Sequence, residues 1–141
     1  MKGIITICGS TKFKEQFEEV NRRLTWSDWV VLSVGSFHHS EKDHDIAGKI
    51  IARKVLLDIL HKQKIAMSQA IVIINVDTYI GESTASEINY ARSLGKHIYW
   101  YQQQPYYSLD RVHFNAVADR MWTEVLEETI EPKASEKEKA G

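Results

Sequence analysis

A single cysteine, Cys8, is all the sequence offers toward covalent cross-linking, so no internal disulfide can hold the fold, which fits a reducing compartment. No stretch approaches the ~20 consecutive apolar residues that a membrane-spanning helix needs. Excess charge of one sign is also missing. With 18 Lys and Arg against 19 Asp and Glu, the net charge of −1 gives no electrostatic footprint for a nucleic-acid polymer or an anionic membrane. The opening Met1-Lys2-Gly3-Ile4-Ile5-Thr6-Ile7-Cys8 lacks the long apolar region of a signal peptide, and a cytoplasmic location is expected. What is present is a chain of 141 residues, 43% hydrophobic, enough to bury one good core.

The pattern alternates strand and helix. Residues 3–8 read as a first strand and pass at once into Gly9-Ser10-Thr11-Lys12. A helix follows over roughly 13–24, with Phe13, Phe17, Val20 and Leu24 on one face. A second strand covers 29–34. Residues 35–45 have no periodicity and form a long loop carrying His38, His39 and His44, suited to a pocket lid. From about 46 to 67 the pattern is helical, but its apolar positions (Ile50, Ile51, Leu56, Leu57, Ile59, Leu60, Ile65) cover more than one stripe. Such a helix points to a partner surface, most simply a second copy of the chain.

The apolar run Ala70-Ile71-Val72-Ile73-Ile74 reads as a buried parallel strand, and the helix after its loop should stop at Gly95. A fourth strand at 97–101 and a last helix over roughly 109–127 complete the order. The fold class expected is α/β: one doubly wound parallel sheet of four to five strands, Rossmann- or flavodoxin-like, over 1–130. Residues 131–141 mix charge with Pro and Ala and read as a flexible tail.

Open parallel sheets bind ligands beyond the carboxyl ends of their strands, which directs attention to two loops. In the first, Gly9, Ser10, Thr11 and Lys12 bring backbone N–H groups, two hydroxyls and an ammonium to one strand-to-helix turn, an arrangement that holds a phosphate or sugar hydroxyl. The plainer reading makes Ser10 or Thr11 a helix cap. The second loop, Asn75 to Gly81, leads to Ser83, Thr84 and Glu87. The spacing Thr84 to Glu87 fits a capping box, with Thr84 as N-cap. The same spacing sets Glu87 in the first helical turn, aimed back into the crevice. There the helix N-terminus favours an ionised carboxylate able to meet a developing cation. Asn75 and Asp77 either face the crevice or cap their own loop. His61 is either a helix-face hydrogen-bonder or a site residue that titrates near neutrality. The aromatics Tyr99, Trp100, Tyr101, Tyr106 and Tyr107 serve packing or, in the sharper reading, stacking on a nucleobase.

The run from Asp77 through Gly81, Ser83 and Glu87 to Tyr90, Ala91 and Gly95 resembles the signature of the nucleoside 2-deoxyribosyltransferase superfamily, which includes the 2′-deoxynucleoside 5′-monophosphate N-hydrolases. Ile7-Cys8-Gly9-Ser10 is similar to the same family, and the likeness spans roughly residues 3–100. The resemblance implies that Glu87 attacks the anomeric carbon of a 2′-deoxyribose. It also implies that Gly9 and Ser10 line the sugar or phosphate pocket, while Gly81, Ser83 and Thr84 hold the sugar or 5′-phosphate. Relatives carry an acidic residue on the helix before the third strand; this chain has His61 there, with Asp58 one turn earlier. Relatives also complete the pocket from a neighbouring subunit, a role that would fall here to Asn115 or His113. The implied partners are a small nucleoside or nucleotide substrate and a second copy of the chain.

The chemistry stands apart from the family name. Breaking an N-glycosidic bond builds an oxocarbenium-like sugar that a carboxylate stabilises or traps, and the departing base needs a proton. Neither a cofactor nor a metal is required. His38 and His39 are adjacent, and no HxxxH pair supports them as metal ligands; they read as pocket-edge or solvated loop residues. The alternative function is a nucleotide-binding or sensor domain of the same fold that does no chemistry.

Overall fold

The computed structural model describes residues 1–35, 47–103 and 119–126. The predicted lid loop, with His38, His39 and His44, lies outside these residues, as do Tyr106, Tyr107, His113, Asn115 and the tail. Among the described residues the strands are β1 (Gly3–Gly9), β2 (Trp29–Leu32), β3 (Ala70–Ile74), β4 (His97–Trp100) and β5 (Arg120–Met121). The α-helices are α1 (Lys14–Trp26), α2 (Ala47–Met67) and α3 (Glu82–Ser93). The strands form one sheet in the order β2-β1-β3-β4-β5, every neighbouring pair parallel. This is the α/β architecture that the sequence predicts. No helix among the described residues is long and apolar enough to cross a membrane.

The alternation of side chains along a strand divides the core between the two sheet faces. Ile5 and Ile7 of β1 and Ala70, Val72 and Ile74 of β3 face α1, where they pack with Phe17, Val20 and Leu24. Cys8, Ile71 and Ile73 face the other way, against Ile65 of α2 and Ala85, Ile88 and Ala91 of α3. Gly9 ends β1 where only glycine fits. Its φ is +154°, and a Cβ there would lie 2.9 Å from Ile74 Cβ and 3.0 Å from the Ile74 carbonyl oxygen. Gly95 stops α3 as expected, at φ +69°. Its N–H donates to Arg92 O, and that of Lys96 donates to Ala91 O, both at 3.0 Å, completing a Schellman motif.

Of the predicted last helix over roughly 109–127, residues 109–118 lie outside the described residues, and where it is described the chain forms β5 and a short 3-10 turn at Trp122–Val125 instead. Tertiary contacts outweigh any local helical preference here. The free edge of β4 takes up Arg120 and Met121, and Trp122 stacks on Tyr101 with ring centroids 5.8 Å apart. Asp119 accepts two hydrogen bonds from the Arg92 guanidinium, at 2.6 and 3.0 Å. On α2, Val55, Leu56, Ile59 and Leu60 remain exposed, the second apolar stripe expected from the sequence.

Candidate active site

Three side chains from three different elements meet beneath the carboxyl end of β1. Cys8 Sγ, one nitrogen of His61 and one carboxylate oxygen of Glu87 all lie within 4.8 Å of one another, and all three residues are buried. The His61 Nε2 to Glu87 Oε2 separation is 3.8 Å, beyond hydrogen-bonding distance. Neither atom has a hydrogen-bond partner. The Cys8 thiol hydrogen-bonds to the Glu87 carboxyl, and His61 hydrogen-bonds to the Ile7 backbone.

The electrostatics follow from burial. Desolvation, reinforced by Asp58, raises the Glu87 carboxyl to about pKa 8 against the opposing pull of the Cys8 hydrogen bond and Lys62. Desolvation also lowers His61 to about 4, helped by the Lys64 ammonium and opposed by the Ile7 hydrogen bond. Burial pushes the Cys8 thiol well above its ordinary range, with the neighbouring Glu87 adding to it. At pH 7 the site therefore holds a neutral acid, a neutral imidazole and a thiol. This corrects the expectation of an ionised carboxylate. The helix-terminus contribution, at most ~2 kcal/mol, is smaller than the cost of burying a charge without a partner.

The placement of Glu87 differs from expectation in a second way. Helix α3 starts at Glu82 with Gly81 as N-cap, so Thr84 lies inside the helix and no Thr84–Glu87 capping box forms. Glu87 is the sixth residue of α3, past the first turn, and its carboxyl faces Cys8 and His61 instead of standing open in the crevice. No side chain caps α3 at Gly81. The first helical bond runs from the Ala85 N–H to the Gly81 carbonyl at 2.9 Å, so the amides before it have no partner within the helix and point toward the loop crevice as an anion-binding terminus would. Ser83 is half-buried beside them, and Thr84 is buried.

The other predicted residues sort by location. Ser10 takes the plainer role: its hydroxyl accepts from the Lys12 N–H at 3.3 Å and caps the turn before α1. The Lys12 ammonium sits 3.3 Å from the Tyr79 ring centroid, joining the β1 loop to the β3 loop, with Thr11 half-buried beside it. Asn75 is fully buried and acts as a clasp. Its amide donates to Gln102 O at 2.7 Å, and its oxygen accepts from Gln102 N–H at 2.8 Å. Asp77 is exposed and is not brought to the trio. It adopts φ +52° and is followed by Thr78 at φ +67°, two consecutive left-handed residues that store strain in the loop. Trp100 is core, and Tyr101 donates from its hydroxyl to Glu19, so both serve packing. His38 and Asn115 lie outside the described residues.

Cys8 is the site residue that sequence reasoning passed over. Its signal was available: it directly precedes Gly9-Ser10 and shares a sheet face with the apolar stripes of α2 and α3. No protein-family model, curated protein or solved structure gives a significant match to this chain.

Proposed function

We propose that the protein cleaves the N-glycosidic bond of a 2′-deoxynucleoside or its 5′-monophosphate, with Glu87 as the nucleophile and His61 as its proton partner. The observation that carries the reading is a buried, unpartnered carboxyl oxygen facing an equally unpartnered imidazole nitrogen at 3.8 Å. Buried polar atoms are almost always satisfied, and those that are not tend to belong to sites awaiting a ligand or a proton. The resemblance of the stretch around Glu87 to the deoxyribosyltransferase signature supplies the substrate class.

The proton account closes. Glu87 passes its proton to His61 Nε2, which leaves the total number of bound protons unchanged. The freed carboxylate oxygen bonds to C1′ as the C1′–N bond breaks, and the imidazolium proton goes to the departing base. Water, deprotonated by His61, then opens the glycosyl ester and restores the acid. Transfer to a second base would use the same steps. The uncapped amides before Ala85, with Ser83 and Lys12 nearby in the fold's ligand-binding loops, suit a 5′-phosphate. Self-association is proposed from the exposed Val55, Leu56, Ile59 and Leu60 of α2, and a cytoplasmic setting from the free Cys8 thiol.

The enclosure of Glu87 favours one further reading, a nucleotide-binding domain that does not turn its ligand over. Chromatography of free base released from a panel of deoxynucleosides and monophosphates separates the two. Glycosidase activity predicts release by the native chain and a loss on the order of 10³-fold or more in Glu87→Ala with the fold retained. Ligand-dependent stabilisation with no free base over hours assigns the binding domain.

A further inference from the structure

Cys8, His61 and Glu87 supply one sulfur, one nitrogen and one oxygen, the donor types of a site for a borderline-soft divalent ion. All three residues are more than nine-tenths buried, and His61 Nε2 and Glu87 Oε2 have no hydrogen-bond partner. Zn²⁺ bonds to sulfur at ~2.3 Å and to nitrogen or oxygen at ~2.0–2.2 Å. Ligand atoms already within 4.8 Å of one another therefore need to close by only about 1 Å to share an ion. Charge also balances: a thiolate and a carboxylate neutralise a divalent ion, and the neutral imidazole adds no charge to an apolar pocket. Three protein ligands leave the fourth tetrahedral position open.

We infer that Cys8, His61 and Glu87 form a three-ligand site for a thiophilic divalent cation such as Zn²⁺, and that an ion held there switches the glycosidase off by occupying its nucleophile. The second half rests on the function proposed above; the first half does not. Binding is a displacement of protons: the ion replaces one proton on the Cys8 thiol and one on the Glu87 carboxyl. Affinity should therefore tighten as pH rises.

The experiment is Co²⁺ titration of the full chain, followed by absorbance, with Zn²⁺ displacement to obtain the Zn²⁺ affinity and base release measured in parallel. The inference expects one equivalent bound with a thiolate-to-cobalt charge-transfer band, loss of that band in Cys8→Ser, and affinity at least tenfold weaker in Glu87→Gln. It is overturned if the native chain binds no Co²⁺ at tens of micromolar, or binds it with a spectrum that Cys8→Ser leaves unchanged. A native chain that binds Co²⁺ through Cys8 but never releases base keeps the ion site and removes the glycosidase reading. Base release undiminished at one bound equivalent overturns the switch.

Discussion

The two faces of the sheet are built from the same strands yet obey different rules. The α1 face is filled by the buried apolar side chains of Ile5, Ile7, Phe17, Val20, Leu24, Val72, Ile74 and Trp122. The α2 and α3 face carries apolar side chains as well, but Thr6, Ser68, Cys8, His61 and Glu87 are buried among them. The Thr6 and Ser68 hydroxyls satisfy each other at 2.6 Å, and Ser68 continues to Lys64 O at 2.8 Å. The Cys8, His61 and Glu87 trio leaves His61 Nε2 and Glu87 Oε2 unsatisfied. One face supplies stability, and the other gives some of it up to keep reactive groups dry.

The comparison can be broken most forcefully from its apolar side. Phe17→Ala should cost about 3–5 kcal/mol in chemical denaturation, because it empties a fully buried ring from the α1 face. It should leave the titration of Glu87 unmoved; a shifted Glu87 would mean that the faces are not independent.

The polar face predicts a pH dependence of stability. Glu87, raised from near 4.5 to about 8, makes the folded state hold a proton that the unfolded chain has released, so stability falls as pH rises across that window. His61, lowered from 6.5 to about 4, acts oppositely between pH 4 and 6.5. Between pH 6.5 and 8, below the range where the Cys8 thiol contributes, Glu87 dominates, and the native chain should lose about 2 kcal/mol. Glu87→Gln should abolish that loss. An unchanged pH profile in the variant would remove the burial argument.

Ser10→Ala is the smallest expected effect, at most about 1 kcal/mol, since the hydroxyl caps one turn. Base release unchanged by that substitution would assign Ser10 to structure alone. A loss of more than tenfold would return it to the substrate pocket.

Much of the architecture was legible because it is written locally. Ala70 to Ile74 is a strand on composition alone, and Gly9 and Gly95 mark ends that no other residue could make without strain. The fifth strand was not legible, since two residues pair with β4 only because its edge is open and Asp119 is clasped by Arg92. Glu87 was legible as a residue but not as a state. The Thr84–Glu87 spacing suggested a helix start that Gly81 takes instead, and the depth that neutralises the carboxyl depends on α2, far away in sequence. Cys8, His61 and Glu87 come from three elements, so no spacing motif connects them.

The claim that matters most is that Glu87 keeps its proton at neutral pH beside an uncharged His61. Carbon-13 NMR titration of the Glu87 side-chain carboxyl in the native chain measures this directly. The account predicts a midpoint near pH 8, with His61 remaining neutral down to about pH 4. A Glu87 carboxyl already ionised at pH 6 would contradict it.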